Sequence, residues 1–168
     1  NIMIEIGLNK VNKNFGFNQL LTDVSFEIKT NERVAIIGSN GCGKTTTLNA
    51  IIEIFEQRNA RIQLCAPTGR AAKRMTDLTG KEAKTLHRLL EVEWTGNSKQ
   101  QFARNEKNPI DCDVIIVDEA SMLDSLLFTS LLHALKISTR IILVGDTDQL
   151  PSVAAGNVLN DILSSGQY

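Results

Sequence analysis

Cysteine is scarce in this chain, and so are histidine and proline: three Cys, two His and three Pro among 168 residues. Cys42, Cys65 and Cys112 are isolated, odd in number and without metal-ligand spacing, which excludes a disulfide framework and a thiolate metal site. A reducing, cytoplasmic setting is therefore expected. No uninterrupted apolar run approaches the length of a membrane span, and the N-terminus lacks a basic-then-apolar signal pattern, so no membrane partner is expected. Aromatics make up only 5% of residues, within the composition of an ordinary soluble globular protein. The length suits one well-buried domain and is short for two. The chain starts with Asn1 instead of methionine, which suggests a processed or excised product.

The net charge of −1 hides an asymmetry. Residues 51–110 carry eleven Lys/Arg against seven Asp/Glu, whereas 111–168 carry two against eight. The surplus centres on Arg70, Lys73, Arg74, Lys81, Lys84 and Arg88, either a nucleic-acid footprint or a solvated helix face.

The central feature is Gly38-Ser39-Asn40-Gly41-Cys42-Gly43-Lys44-Thr45, between the apolar run Val34–Ile37 and a helix-like stretch through Leu48, Ile51 and Ile52. A strand, a glycine loop, Lys-Thr and a helix make a phosphate-binding loop. Glycines let successive N–H groups face one anion, and the helix N-terminus adds partial positive charge. Ser39, Asn40, Gly41, Cys42, Gly43, Lys44, Thr45 and Thr46 are thus the expected ATP contacts. Lys44 would reach the β- and γ-phosphates, and the Thr45 hydroxyl would hold Mg²⁺.

Val114-Ile115-Ile116-Val117 ends in Asp118-Glu119, which puts two carboxylates at the C-terminal edge of a central strand, where parallel sheets bind ligands. Asp118 is expected to serve Mg²⁺, and Glu119 to activate the attacking water. A second strand, Arg140–Val144, closes on Gly145-Asp146-Thr147-Asp148-Gln149-Leu150-Pro151, and Gln149 is the expected γ-phosphate sensor.

Before the loop the chain reads as β-hairpins, with residues 2–6 and 21–28 alternating and Lys29–Glu32 turning into the strand 33–37. The spacing predicts helices over 46–58, about 82–91, from Ser121 to Leu135, and over 156–165, a strand at 60–66 and a projecting hairpin at 92–102. Trp94 and Phe102 either stack on bases or pack across that hairpin. His87 reads as a packing or capping residue and His133 as a surface one.

Val11–Gly16, Leu21–Ile28 and Glu32–Thr46 resemble the start of an ATP-binding cassette (ABC) ATPase, over about the first 48 residues. That resemblance implies an adenine-stacking aromatic at Phe15, with Phe17 as its close rival, yet no Leu-Ser-Gly-Gly-Gln signature follows. Ala66–Arg74, Ala83–Leu90, Asn108-Pro109, Val117–Asp124 and Val144–Val153 resemble the first motor domain of a RecD-like superfamily 1 DNA helicase. This implies ATP-driven movement on single-stranded DNA, with Thr68, Arg70 and Lys73 at the DNA, and a second motor domain supplying an arginine finger.

Together these resemblances imply one P-loop NTPase domain over 1–168, a chimera with an ABC-like segment 1–48 and a helicase-like segment 49–168. The expected fold is α/β and RecA-like: three layers, a mostly parallel sheet with the Val144 strand between those of Ile36 and Val117, and an N-terminal antiparallel β-hairpin region extending or covering one edge. Weak Mg²⁺-dependent ATP hydrolysis is the expected function, without unwinding by this chain alone. A nucleotide-binding scaffold without turnover is the alternative, and a small-molecule kinase ranks last because the arginines lie in helicase-like contexts.

Overall fold

The computed structural model describes residues 4–15, 18–29, 34–37, 44–95, 99–146, 156 and 158–165. A five-stranded sheet organises the chain. It comprises β3 (Val34–Ile37), β4 (Ile62–Ala66), β5 (Ala83–Thr85), β8 (Val114–Val117) and β9 (Arg140–Gly145). Their spatial order is β3-β9-β8-β4-β5, every pair parallel. All four residues of β8 are fully buried, as a central parallel strand covered on both faces requires.

The pleat sorts the side chains into two cores. Leu64, Val114, Ile116, Ile142 and Val144 face α1 (Lys44–Gln57) and α2 (Gly69–Thr79), against Leu48, Ile51, Ile52, Phe55 and Met75. Cys65, Ile115, Val117, Ile141 and Leu143 face the other way. They meet Leu86 and Leu89 of α3 (Leu86–Leu89), Leu127 and Leu131 of α4 (Ser125–His133), and Leu159 of α5 (Val158–Ser165). The result is the expected three layers, with β9 inserted between β3 and β8 as the family resemblance implied.

Local chemistry fixes the helix ends. Thr68 Oγ1 accepts from Ala71 N–H at 3.2 Å to start α2, and Gly80, at φ 69°, ends it by donating its N–H to Thr76 O. Asp124 Oδ1 accepts from Leu127 N–H at 2.7 Å to start α4.

Four expectations are corrected. First, β3 is not the return strand of a hairpin with β2 (Asn18–Lys29): it pairs with β9 in parallel, because an all-apolar run needs cover on both faces. The expected turn at 30–32 lies outside the described residues. Second, the N-terminal hairpin does not extend the sheet. β1 (Ile4–Phe15) pairs with β2 in its own antiparallel ladder, Ile6 facing Ile28, Leu8 facing Phe26 and Val11 facing Val24. Third, the helix expected over 82–91 is the edge strand β5 followed by α3 alone, because 83–85 pair with β4 and Thr85 then caps α3. Fourth, Ser121 opens no long helix. A 3-10 turn at Ala120–Met122 precedes α4, which starts where Asp124 can cap it.

The hairpin β6 (Val92–Thr95) and β7 (Lys99–Phe102) forms as expected. The Phe102 ring lies 6.1 Å from that of His87 and packs on the core, which favours packing over base stacking at that residue. Trp94's side chain lies outside the described part. His133 is exposed and pairs with Glu106 at 2.7 Å. Cys65 and Cys112 are free, buried thiols; burial pushes both upward, Cys112 to about 11, so neither is a reactive thiolate.

Candidate nucleotide site

Four elements deliver residues to one pocket at the C-terminal end of the sheet. Thr45 and Leu48 come from α1, Arg74, Met75, Leu78 and Thr79 from α2, and Asp118, Glu119, Val144, Gly145 and Asp146 from the ends of β8 and β9. The Asp118 N–H donates to Cys65 O at 2.9 Å, carrying the β8–β4 pairing one residue past the strand, so its carboxylate stands at the sheet's rim. Glu119 adopts a left-handed backbone, φ 52° and ψ 42°, which costs a non-glycine residue about 1–3 kcal/mol. Its N–H donates to Asp118 Oδ1 at 2.9 Å and its carbonyl accepts from Met122 N–H at 2.9 Å. This strained corner turns the chain from β8 and puts two consecutive carboxylates into the same pocket.

Gly145 is closely approached by its neighbours. A Cβ there would lie 2.7 Å from Leu159 Cδ2 and 3.3 Å from the Ser121 backbone nitrogen, so the bare backbone lets α5 and the 3-10 turn close on the end of β9. That closure sets Asp146, only 5% exposed, against the pocket.

Thr45, Asp118 and Glu119 are therefore brought together as the sequence implied. Lys44 and Thr46 flank Thr45 in the first turn of α1. Ser39, Asn40, Gly41, Cys42, Gly43 and Gln149 lie outside the described residues, as does the side chain of Phe15, the last residue of β1. Sequence reasoning missed Arg74 and Asp146 as pocket residues. Asp146 had a signal, its place at a strand end pointing the same way as Asp118; Arg74 had only its basic neighbourhood.

The donor set fits a magnesium ion. Mg²⁺ keeps several waters and takes one or two protein oxygens beside substrate phosphates, and the Thr45 hydroxyl and Asp118 carboxylate are such donors. No group of three His, Cys, Asp or Glu able to cage a metal occurs among the described residues.

The nucleic-acid candidates lie together on α2. Thr68 caps it, and Arg70 and Lys73 are exposed within its first turns. Across the helix, Ala71, Ala72 and Met75 are buried. The two cations thus face outward from a helix whose other side is locked to the sheet.

Comparison with known proteins follows the same lines. A family model described as an AAA domain matches residues 23–155. The ATP-dependent RecD2 DNA helicase of Deinococcus radiodurans is 41% identical over 141 residues, which is 84% of this chain and 19% of that protein. The crystal structure of the Pif1 helicase from Candida albicans superposes with a TM-score of 0.54 at 25% identity, covering 74% of this chain and 31% of that one. The Fe(3+) ions import ATP-binding protein FbpC 2 of Haemophilus influenzae is 40% identical over 57 residues, 34% of this chain and 16% of that protein. The chain spans 19–27% of the length of the first curated relatives it matches.

Proposed function

Because the chain belongs to the AAA-domain family, as a helicase-like motor domain of the RecD and Pif1 type with a P-loop NTPase fold, we propose that it binds Mg²⁺-ATP in the pocket between α1, α2 and the sheet and hydrolyses it slowly. What supports this is the convergence of Thr45, Asp118 and Glu119 from two separate elements on one pocket. In this reading Ser39, Asn40, Gly41, Cys42 and Gly43 wrap the phosphates with backbone N–H groups, and Lys44 bridges the β- and γ-phosphates. Thr45 and Asp118 hold Mg²⁺, which when bound neutralises charge developing on the phosphate oxygens. Glu119 orients a water in line with the γ-phosphorus and takes its proton as the oxygen attacks. Gln149 contacts the γ-phosphate, and Phe15 stacks on the adenine.

Thr68, Arg70 and Lys73 bind single-stranded DNA through its phosphates, as the DNA helicase relatives suggest. The chain does not unwind DNA alone, because translocation needs a second motor domain moving against this one. That domain would also bring an arginine finger, worth roughly a thousandfold or more in rate. The reading of 1–48 as ABC-like and 49–168 as helicase-like, joined within Lys44-Thr45-Thr46, rests on the ABC-like motifs of the first 48 residues, although the AAA-domain model runs across that join from 23 to 155. The alternative reading is a scaffold that binds nucleotide without turnover.

Calorimetric titration with Mg²⁺-ATP, followed by phosphate release with and without single-stranded DNA, separates the two. Binding with DNA-stimulated release supports the motor domain; binding without release supports the scaffold. Lys44→Ala should abolish binding, and unchanged affinity would overturn the site.

A further inference from the structure

We propose that Arg74 is a cation supplied to the nucleotide site from within this chain, one that leaves Glu119 for the terminal phosphate when a nucleoside triphosphate binds. This rests on reading the pocket as a nucleotide site, and it concerns the wall that α2 contributes.

Charge is the first argument. Among the described residues lining the pocket, Asp118, Glu119 and Asp146 are acidic and Arg74 is the one cation. A triphosphate is itself a polyanion, and beyond what Lys44 and Mg²⁺ would supply, its outermost phosphate meets the Glu119 and Asp146 carboxylates unless a further positive group stands there. Nearby opposite charge is what makes such a site tenable.

The second argument is the quality of the existing pair. Arg74 Nη1 lies 3.8 Å from Glu119 Oε1, and the arginine side chain is 55% exposed. A pair that long and that wet contributes little. Guanidinium binds phosphate oxygens through two parallel N–H donors, a stronger contact than the one it would give up. The exchange therefore runs toward the phosphate.

The third is anchorage. Arg74 precedes Met75, 1% exposed, on a helix held at both ends by the Thr68 cap and Gly80. Its stem is fixed at the pocket wall while its head is free to turn. Once the phosphate takes the guanidinium, Glu119 loses its ion-pair partner and its carboxylate is open to a water. A diphosphate, lacking the outer group, leaves the pair in place. Arg74 thus ties release of the base to the presence of the triphosphate.

The test compares Mg²⁺-ATP and Mg²⁺-ADP affinities of the 168-residue chain by displacement of a fluorescent nucleotide. Arg74→Ala is expected to weaken ATP about tenfold, the loss of one charge-assisted phosphate contact, while ADP affinity holds. Arg74→Lys should recover part of the ratio, keeping charge without the fork. Arg58→Ala, an exposed residue at the far end of α1, should change neither affinity. An ATP-to-ADP ratio unchanged in Arg74→Ala overturns the proposal and leaves the site standing. Should Arg74→Ala fail to fold, a wild-type ratio in Arg74→Lys overturns it equally. Wild-type chain that binds neither nucleotide overturns the site and the proposal together.

Discussion

The paired strands β4 and β8 are flanked by charged residues at both ends of the pair, and the two ends treat them differently. At the N-terminal end the Arg61 guanidinium grips Asp113 through Nε at 3.1 Å and Nη2 at 2.8 Å, and its backbone N–H donates to the same carboxylate at 2.8 Å. Arg61 also reaches Asp111, which Lys136 holds at 2.6 Å. At the C-terminal end Asp118 and Glu119 meet a single long arginine contact and a turn of strained backbone. Carboxylates closed on short bonds hold two strands in step. Those left open at the rim are available to a ligand, and the sheet between them keeps the two roles apart.

Glu119→Gln tests the open end most severely. Phosphate release should fall roughly 10²–10⁴-fold, the span of a lost general base, while the melting curve stays put. Turnover that survives would remove Glu119 from the chemistry. The strand shared by both ends comes next. Ile116 is fully buried in β8, and Ile116→Ala should cost about 2–5 kcal/mol in urea unfolding. A smaller loss would mean that the layers collapse around the gap.

Gly145→Ala is smaller and local. The new Cβ must displace Leu159, itself 1% exposed, at a cost of about 1–3 kcal/mol. Pairing it with Leu159→Ala should recover part of that loss; no recovery would place the clash on the Ser121 backbone instead. The gentlest test concerns the closed end. Arg61 holds the Asp113 carboxyl down to about 2, below its usual value near 4. A depressed carboxylate contributes stability that is present above its unfolded value and fades as pH drops from near 4 through about 2. Asp113→Asn should flatten that acid limb without touching nucleotide binding. An acid limb as steep as wild type would assign it to other groups.

How much of this the sequence disclosed depended on whether a residue's role is set by its neighbours in the chain. Val114–Glu119 could be read as a buried strand ending in carboxylates because four apolar residues have no other home. The order of β3, β9 and β8 was available only through the family resemblance, since succession along the chain would have set β8 before β9. β5 was hidden, since three residues with amphipathic spacing can read as helix until β4 lies alongside. Arg74 was hidden for a related reason: only the burial of Ala71, Ala72 and Met75 decides which way the next cations point. The left-handed backbone at Glu119 had no signal at all, glutamate being a poor residue for it.

The sheet order has a bearing on how the chain is made. Among the described residues β3 pairs with β9 alone, and about a hundred residues separate Ile37 from Arg140. At ribosomal speeds of about 5–20 residues per second, that interval is roughly 5–20 s. During it an apolar strand waits without its ladder while β4, β5 and β8 can already pair among themselves. The strand that leads into the phosphate loop is thus synthesised well before its ladder partner and seated only when that partner emerges, and newborn chains remain open to aggregation until β9 arrives.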